Sequence, residues 1–467
     1  MRDMRDSFLK FNLDKSYASI EFEIDRDIDF ISINWQNNKE FFSFYLYSPD
    51  NKLCAQIIGI SEKGTRILSK ESTKTSPCLL SLDKIKITKG VWRVDYSVIT
   101  NTDACSTIIE IKEEKSSDIF YDDEYDLLEN LYSDNLEDSK EYYTCDFHTH
   151  TIFSDGLMTR EENNEVAEKQ GLDFFVPTDH NIFHYTWPKN SHVKTYPGIE
   201  ITSSLGHINL LFAEKTPFEE HHANEIEDEE ALSQIITEAS NYSLVSINHP
   251  FMEPWDFKIK DFPLNRVKFM EIINSPTLPS AKEAIEKALK AWNYLLNDGY
   301  KVVAIGGSDS HLKAGDKFYG SEYPCLLGDP KNFIYTRSNS AAYIKEAMIK
   351  ADVSVTRRDE LKLIYTGLER ENDGFNGNIK LMAYIVQECF HGSKLSIHWV
   401  LDGEVKKVDQ CKQSSFESYI DCNYHWIRVD VLDEDGHLYG HSNPIFFNRN
   451  KIKHNMIVWK DLLDKMK

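Results

Sequence analysis

Apolar and polar residues alternate with a period of two over much of residues 1–111, which is the pattern of half-buried β-strands. Runs of this kind cover 18–24, 29–35, 41–47 and 91–98. Helical periodicity is weak throughout this part of the chain. We therefore predict that residues 1–111 form an antiparallel β-sandwich.

The pattern changes between residues 141 and 357, where short apolar runs alternate with amphipathic segments. Helical spacing covers 159–170, 280–297 and 343–350, and Gly171 and Gly299 follow the first two as stop signals. An alternation of strands and helices is typical of a βα architecture. We therefore predict an α/β domain over residues 141–357.

From residue 358 onward the strand pattern returns. Candidate strands cover 379–386, 395–401 and 426–431, and the spacing of Trp459, Leu462, Leu463 and Met466 predicts a terminal docking helix. The acidic turn at 433–436 lacks the spaced ligands of a calcium loop, so we interpret it as a hairpin turn. Residues 358–467 are thus predicted to form a second β-sandwich with a terminal helix.

An acidic segment at 112–140 lies between the first β domain and the α/β domain. We interpret it as a solvated linker that is partly helical around Leu127, Leu128 and Leu131. An acidic lid that repels anionic competitors is the alternative, and the sequence does not distinguish the two.

The charge of the chain excludes some functions. A formal net charge of −23 over 467 residues argues against a nucleic-acid-binding surface, and we expect no nucleic-acid partner. No apolar stretch reaches membrane-spanning length, and no signal peptide is visible, so we expect no membrane association. The eight cysteines form no Cys-x-x-Cys pair, which is typical of reduced thiols and favours a cytoplasmic location.

Histidine and carboxylate residues recur at the ends of the predicted strands. His148 and His150 are two residues apart, so both imidazoles point to one side of a strand, and Asp155 follows in a Ser-Asp-Gly turn. Further candidates at strand ends are His180, Glu200, His207, His249, Asp309 and His311. These residues supply imidazole and carboxylate without thiolate, which favours a catalytic site for Zn, Mn or Fe.

These motifs resemble those of the PHP (polymerase and histidinol phosphatase) family of metal-dependent phosphoesterases. The resemblance rests on His-x-His-x-x-x-x-Asp-Gly, Thr-Asp-His, Gly-Ile-Glu and Ser-Asp-Ser-His. It implies an α/β fold, a distorted (βα)7 PHP barrel flanked here by N-terminal and C-terminal β-sandwich domains. The two flanks, with Trp426 and the segment 442–446, are more loosely similar to the CehA/McbA branch of metallohydrolases.

The family resemblance implies two or three divalent ions at the carboxyl ends of the strands. A first ion would be held by His148, His150, Glu200 and Asp309. Glu200 would bridge to a second ion held by His249 and His207, and a third would be held by Asp155, His180 and His311. Since His207 follows Glu200 so closely, its placement requires a tight turn within 203–206.

Other polar residues at strand ends are candidates for supporting roles. Asp179 is the candidate catalytic residue, because it could orient a metal-bound histidine or shuttle a proton, and of the two we favour orientation. Asn248 and Asn274 could donate to a substrate oxygen or cap a turn. We interpret four further histidines as surface or substrate-side residues: His184, His192, His221 and His222.

The resemblance implies hydrolysis of a small phosphomonoester or phosphodiester by a metal-bridging hydroxide. The same ions could serve a carboxyl ester or carbamate hydrolase, since hydroxide attacks a carbonyl as readily as a phosphorus. A third alternative is a non-catalytic binding scaffold, which would be expected to lack some of the ligands. The expected partner is a small-molecule ester, and the sequence does not indicate the oligomeric state.

Overall fold

The computed structural model describes most of the chain with several gaps. The described residues are 2–3, 8–13, 17–25, 30–36, 41–59, 63–69, 87–99, 107–113, 125–128, 140–189, 192–357, 360–386, 394–451 and 454–467. Within them the fold is mixed α/β, with many strands and five α-helices.

The N-terminal part consists of two antiparallel layers. Its strands are β1 (Arg2–Asp3), β2 (Phe8–Leu13), β3 (Tyr17–Ile24), β4 (Phe30–Gln36), β5 (Phe41–Tyr47), β6 (Leu53–Gly59), β7 (Lys63–Ser69), β8 (Gly90–Ile99) and β9 (Thr107–Glu113). They form one sheet in the order β1-β3-β8-β5-β6 and another in the order β2-β9-β4-β7. Phe44 and Trp92 of the first sheet share a core with Ile33 and Trp35 of the second. Apart from the short β1, which pairs parallel with β3, the register is antiparallel.

The acidic segment is described only around residues 125–128. Strand β10 (Tyr125–Leu127) pairs antiparallel with β13 (Thr186–Pro188). Leu128 is 2% exposed and packs beside Met158 and Trp187. The helical turn that we predicted around Leu127 and Leu128 is therefore wrong at Leu127, since pairing with β13 holds its backbone extended, whereas Leu128 has a 3-10 conformation. Leu131 and most of the predicted linker lie outside the described residues.

The middle of the chain contains eleven further strands and four helices among the described residues. The strands are β11 (Tyr143–Thr149), β12 (Phe174–Pro177), β14 (Lys194–Thr195), β15 (Gly198–Ser203), β16 (Gly206–Leu211), β17 (Leu244–Ile247), β18 (Phe269–Asn274), β19 (Val303–Gly307), β20 (Lys331–Ile334) and β21 (Val353–Thr356), together with β13. The helices are α1 (Arg160–Lys169), α2 (Glu229–Ala239), α3 (Ala281–Asn297) and α4 (Ala341–Lys350). Three of them match the predicted segments, whereas α2 was not predicted.

Seven of these strands follow one another in a ring. β11 pairs parallel with β12, and an isolated parallel bridge between His180 and Glu200 connects that side to β15. The sheet continues in the order β15-β16-β17-β18-β19, and a bridge between Thr149 and Ser310 leads back to β11. The carboxyl ends of β11, β17, β18 and β19 therefore meet at one mouth.

The regular (βα)7 alternation that we expected is not what the described residues show. The pairs β15–β16 and β16–β17 are antiparallel, and among the ring strands only α1, α2 and α3 are intervening helices. Antiparallel neighbours can be joined by a short turn and need no crossover helix, so the alternation breaks at β15–β16. Between β12 and β15 the chain runs through the short strands β13 and β14 instead of a helix.

The C-terminal part is again rich in strands. They are β22 (Glu360–Ile364), β23 (Glu371–Asn372), β24 (Gly377–Val386), β25 (Ser396–Leu401), β26 (Glu404–Asp409), β27 (Gln413–Ile420), β28 (His425–Leu432), β29 (Leu438–Ser442) and β30 (Ile445–Phe447), followed by helix α5 (Trp459–Met466). β22, β24 and β27 form a three-stranded sheet, and Phe416 of this sheet stacks on Trp399 of β25.

One sheet crosses the predicted domain boundary at residue 357. Its order is β14-β12-β11-β20-β21-β29-β28-β25-β26, so β21 pairs with β29 of the C-terminal part. Trp426, Trp459 and Leu462 from the C-terminal part pack in one core with Trp292 of α3. The ring and the C-terminal strands therefore share both a sheet and a core.

The N-terminal sheet contacts the segment that follows β12. Tyr45 Oη donates to the carbonyl of Asn181 over 3.1 Å. Gln56 forms a reciprocal pair with the backbone of Phe183, at 3.2 and 3.1 Å. All four residues are buried, so these contacts fix the course of the chain just after His180.

Two further observations concern the part of the chain that the structure describes. Cys54, Cys145 and Cys325 are buried, and Cys411 and Cys422 are exposed. Over the part of the chain that the structure describes, no helix is both long enough and apolar enough to cross a membrane.

Candidate metal centre

Strand β11 delivers the first two candidate ligands. His148 and His150 alternate with Thr149, so both rings lie on the same side, and their Nε2 atoms are 3.1 Å apart. Both side chains are fully buried. Two buried imidazole nitrogens this close form the start of a ligand set.

A compact turn after β11 brings Asp155 back toward the two histidines. The backbone N–H groups of Ser154 and Gly156 both donate to the carbonyl of Thr151. Asp155 Oδ1 then lies 3.1 Å from His311 Nε2 and 3.4 Å from His180 Nε2. A Cβ at Gly156 would lie only 2.7 Å from the carbonyl carbon of His150, so this position requires glycine.

Glu200 on β15 lies at the centre of the cluster. Its carboxylate oxygens are 3.1 Å from His148 Nε2 and 2.7 Å from His180 Nδ1. They are also 3.3 Å from His207 Nδ1 and 3.6 Å from His249 Nε2. The carboxylate is completely buried, and imidazoles from four different segments surround it.

The tight turn that His207 requires is present. Ser203 pairs with Gly206, which leaves two residues between β15 and β16, and Thr202 pairs with His207. Gly206 has a φ of +124°, and a Cβ there would come within 2.9 Å of Phe257 Cα. This hairpin places His207 on the same face of the sheet as Glu200.

Asp309 follows β19 and contacts three of the histidines. Its Oδ1 lies 3.1 Å from His150 Nε2, 3.3 Å from His148 Nε2 and 3.4 Å from His311 Nδ1. The backbone of Asp309 is left-handed, with a φ of +51°, and that of His249 has a φ of +26°. Such conformations cost about 1–3 kcal/mol in a residue with a side chain and are typical of functional sites.

The nine candidate ligands fall into four overlapping groups of donor atoms that lie within 4.8 Å of one another. These groups are His150, Asp155, His180 and His311; His148, Glu200 and His249; His148, His150 and Asp309; and His180, Glu200 and His207. The resemblance had assigned His180 to one ion, whereas here it belongs to two groups. A fifth group, Asp433, Asp435 and His437, lies in the turn after β28, where Asp433 accepts from the backbone of the other two.

The spacing of the donor atoms fits divalent metal ions. Bonds of about 2.0–2.2 Å from an ion place neighbouring donor atoms about 3.0–3.5 Å apart. Most of the contacts above lie in this range. In addition, Asp155 Oδ1 is buried but has no hydrogen-bond partner among the described residues. A cation would satisfy this oxygen, so the residues fit divalent metal ions.

Opposite charges set the protonation of the site in the absence of ions. Burial alone would raise the pKa of Glu200, but the charges of His148 and His180 hold it well below its usual range. The same balance lowers the pKa of Asp155 and of Asp309. The three carboxylates are therefore ionised at neutral pH, as metal ligands must be.

The histidines divide into two classes. Burial lowers the pKa of His150 and of His207 to about 4, so both are neutral at pH 7. Burial also disfavours charge on His148, His180 and His311, but neighbouring carboxylates outweigh it. The pKa of His311 rises to about 9, and those of His148 and His180 rise well above the usual value.

Glu271 is a functional candidate that the sequence reasoning missed. This fully buried glutamate of β18 contacts His148 Nδ1 over 2.9 Å and accepts from the backbone N–H of His249 over 3.0 Å. A carboxylate behind a ligating histidine fixes its tautomer and orientation. A glutamate inside the apolar run 269–274 was the signal available in the sequence.

The two asparagines at strand ends contact carboxylates of the site. Asn248 Nδ2 donates to Glu200 Oε1 over 2.7 Å, and Asn274 Nδ2 donates to Glu271 Oε2 over 2.8 Å. We had considered substrate binding and turn capping as roles for these asparagines, and these bonds correspond to neither. Both instead hold a carboxylate in place.

Asp179 contacts the turn that carries Asp155 and makes no contact with the donor atoms in the four groups. It accepts from the backbone N–H of Thr151 over 2.7 Å, from the Thr151 hydroxyl over 2.6 Å and from the Ser154 hydroxyl. Burial would raise its pKa, but the bond to His184 and the other donors hold it well below the usual value. These contacts correspond to a positioning role.

The interpretation of His184 as a surface or substrate-side residue is wrong. Its side chain is completely buried and bonds to Asp179, with Phe153 and Trp187 packed edge-on against its ring. Because Phe153 and Trp187 cover it, solvent does not reach the ring. His192 is exposed, and His221 and His222 are paired with carboxylates away from the cluster.

Comparison with known proteins gave weak likenesses. No family model and no curated protein matches the chain. A two-domain protein from Bacteroides vulgatus containing a predicted PHP-like metal-dependent phosphoesterase is 17% identical, with a TM-score of 0.37, over 63% of this chain and 92% of its own.

Two other solved structures are more distant still. A protein from Bifidobacterium adolescentis named for metal-dependent phosphoesterase activity is 14% identical, with a TM-score of 0.25, over 40% of this chain and 92% of its own. An amidohydrolase from Chromobacterium violaceum is 13% identical, with a TM-score of 0.24, over 36% of this chain and 88% of its own. Likenesses at this level do not assign the chain to a family.

Proposed function

We propose that this protein is a metal-dependent hydrolase whose nine clustered ligands hold two or three divalent ions. The observation that supports this most directly is the convergence of six histidines and three carboxylates from separate strand ends into four overlapping groups. His148, His150, His180 and Glu200 each belong to two groups, so neighbouring ions would share ligands. Bound ions would lower the pKa of a bridging water and neutralise charge on an ester oxygen.

The residues around the ligands prepare the site for this role. Glu271 orients His148, Asn248 holds Glu200, and Asp179 fixes the turn that carries Asp155. Bound divalent ions would make hydroxide available near neutral pH, so the reaction needs no protein nucleophile. We therefore propose that water is the nucleophile and that the nine ligands, with their supporting carboxylates, do the catalytic work.

We propose a small phosphomonoester or phosphodiester as the substrate. The motif resemblance supports this choice, because its four segments supply seven of the nine ligands of the cluster, all except His207 and His249. The ions would supply the positive charge that a phosphoryl group requires, even in a chain of net charge −23.

One observation favours a carboxyl ester or carbamate as a second candidate substrate. Among the described residues, no lysine or arginine forms an ion pair or hydrogen bond with any of the nine ligands. A dianionic phosphate often pairs with such a side chain, whereas a neutral ester does not need one. The ligand set alone serves both reactions.

Initial rates on three chromogenic substrates test these alternatives. The Mn- and Zn-loaded protein is assayed with an aryl phosphomonoester, a bis-aryl phosphodiester and an aryl carbamate. We expect turnover of a phosphate substrate, lost in His150→Ala and retained in His192→Ala, because His192 is an exposed histidine outside the cluster. Turnover of the carbamate alone would establish the second candidate. No turnover of any of them would contradict a hydrolase and favour the binding scaffold.

A further inference from the structure

A second cavity lies at the opposite end of the ring from the candidate metal centre. It has a volume of about 500 Å³ and is lined by the first residues of three strands, Leu244 of β17, Phe269 of β18 and Val303 of β19. The candidate ligands His249 and Asp309 follow the other ends of β17 and β19. At about 3.3 Å per residue, these strands separate the two sites by roughly 15 Å.

The cavity has an apolar floor. Val245, Val267, Phe269 and Val303 line it and are all less than 9% exposed. A cavity of this size with an apolar floor has the dimensions of a small-molecule site.

The rim of the cavity is strongly basic. Arg266, Lys268, Lys301 and Arg449 line it, and Glu371 is the carboxylate that lines it with them. Glu371 already contacts Lys301 Nζ over 2.7 Å and Arg449 Nε over 3.0 Å. Four cations and one carboxylate leave an excess of three positive charges, within a chain of net charge −23.

Lys268 experiences this excess directly. Burial and the charges of Arg266, Arg449 and Lys301 all lower its pKa, and none of its charged neighbours raises it. Neither Arg266 nor Lys268 forms an ion pair with a described carboxylate. Like charges held together without a counter-ion are destabilising, and a bound anion would relieve this repulsion.

We propose that this cavity is a binding site for a small phosphorylated molecule. Arg266 and Lys268 contact its phosphate group, since their charges are not otherwise compensated. The apolar floor receives its organic part, and Tyr300, stacked on His454 with 4.1 Å between ring centroids, forms one side. A phosphate dianion suits an excess of three positive charges better than a single carboxylate does.

The proposal is independent of the hydrolase function, because the cavity and the candidate metal centre share no residue. Glu371 and Arg449 belong to the C-terminal part, whereas Arg266, Lys268 and Lys301 precede ring strands. A ligand in the cavity would therefore contact both parts of the molecule and stabilise their contact.

Calorimetric titration of the metal-loaded protein with phenylphosphonate tests the proposal. This probe carries a phosphonate on an aromatic body and has no ester bond to hydrolyse. Arg266 and Lys268 are exposed at the rim, and variant Arg266→Gln/Lys268→Gln removes their uncompensated charges. Variant Arg337→Gln/Lys282→Gln makes the same charge change at two positions that are also exposed but lie outside the cavity. Variant His148→Ala/His150→Ala removes the metal centre as a competing phosphonate site.

We expect the His148→Ala/His150→Ala variant and the exposed-position control to bind the probe with wild-type affinity at the cavity. We expect at least about tenfold weaker binding in Arg266→Gln/Lys268→Gln, because two charge-assisted contacts are lost. The charge-conserving variant Arg266→Lys/Lys268→Arg should retain binding. This result would show that Arg266→Gln/Lys268→Gln binds weakly because it lacks the two charges and not because it is misfolded. Unchanged affinity in Arg266→Gln/Lys268→Gln, or no binding once the metal centre is removed, would overturn the proposal.

Discussion

Glu271 is surrounded by residues that depend on its charge. Its carboxylate contacts His148, the backbone of His249 and the amide of Asn274, all of them buried. Gly307 leaves space for it, since a Cβ there would lie 2.3 Å from Glu271 Oε1 and 2.4 Å from His148 Cβ. At this position the backbone and one carboxylate together determine the orientation of a candidate ligand.

We expect Glu271→Gln to weaken metal binding about 10- to 100-fold while the protein remains folded. The amide keeps the shape of the side chain but removes the charge that fixes the tautomer of His148. Competitive titration with a chelator measures the affinity, and thermal melting measures the fold. Glu283→Gln on the exposed face of α3 is the matched control, and equal affinities in the two variants would contradict the prediction.

Metal binding should release protons. His148, His180 and His311 have pKa values above the usual range and must lose their protons to ligate an ion. Because protons compete for these three nitrogens, the apparent metal affinity should rise with pH at least up to the pKa of His311, about 9. Titrations in buffers of different ionisation enthalpy should show about three protons released at pH 7. An affinity that does not change with pH over this range would rule this out.

Asp179→Asn distinguishes positioning from proton transfer. The substitution removes the charge that organises Thr151, Ser154 and His184, so the turn that carries Asp155 should loosen. If Asp179 positions this turn, metal affinity falls and the acidic limb of the pH–rate profile does not move. Loss of kcat with unchanged metal affinity and a shifted pH profile would instead indicate proton transfer.

The candidate ligands could be predicted because their residue types are conspicuous at the ends of apolar runs. His207 depended on a turn of two residues, and the Ser-Ser-Leu-Gly segment 203–206 contained the glycine for it. Glu271 and His184 could not be predicted in the same way. Their roles depend on the side chains that they contact in the folded protein. A carboxylate or imidazole within an apolar run could contact any of several partners, and the sequence does not say which.

The β15–β16 hairpin is the element on which two candidate ligands depend. Glu200 and His207 lie on the same face of it, and Gly206 allows both the turn and the close approach of Phe257. The helices were easier to predict than this part of the ring. α1 begins with a capping box of Thr159 and Glu162 that can be recognised in the sequence, whereas the single bridge that links His180 to Glu200 leaves no periodic pattern.

We expect Gly206→Ala to destabilise the protein by about 1–3 kcal/mol, because alanine is strained at a φ of +124° and its Cβ would contact Phe257. Metal affinity should fall with stability, since the hairpin carries Glu200 and His207. Thermal melting with and without metal measures both effects. Gly374→Ala, at a φ of +73° in an open turn, is the comparison for backbone strain alone. If the Gly206→Ala variant were as stable as the Gly374→Ala variant, this explanation would be contradicted.

At the scale of the whole molecule, the predicted boundary at residue 357 falls within a continuous sheet. β21 pairs with β29 across it, and Trp426 and Trp459 complete a core that also contains Trp292. The sequence indicated where the strand pattern changes, but it could not indicate that strands on the two sides pair. Such pairing joins residues far apart in the chain and is determined by the packing of the whole molecule.

We expect a chain that ends at residue 357 to aggregate. Removing the C-terminal part leaves β21 as an exposed edge and uncovers the apolar surface around Trp292. Size-exclusion chromatography and melting of the shortened chain measure this, and co-expression of residues 358–467 should restore solubility. A monomeric shortened chain with a cooperative melting transition would show that the ring is self-sufficient.

Phe41 of the N-terminal sheet lies edge-on against the ring of His180, with 5.7 Å between centroids. One candidate ligand thus takes part of its surroundings from a segment nearly 140 positions earlier in the chain. We therefore expect the sequences of these two segments to change together in evolution. A substitution at Phe41 should favour compensating changes near His180, and recombination that exchanged the N-terminal sheet alone would disturb the environment of the metal ligands.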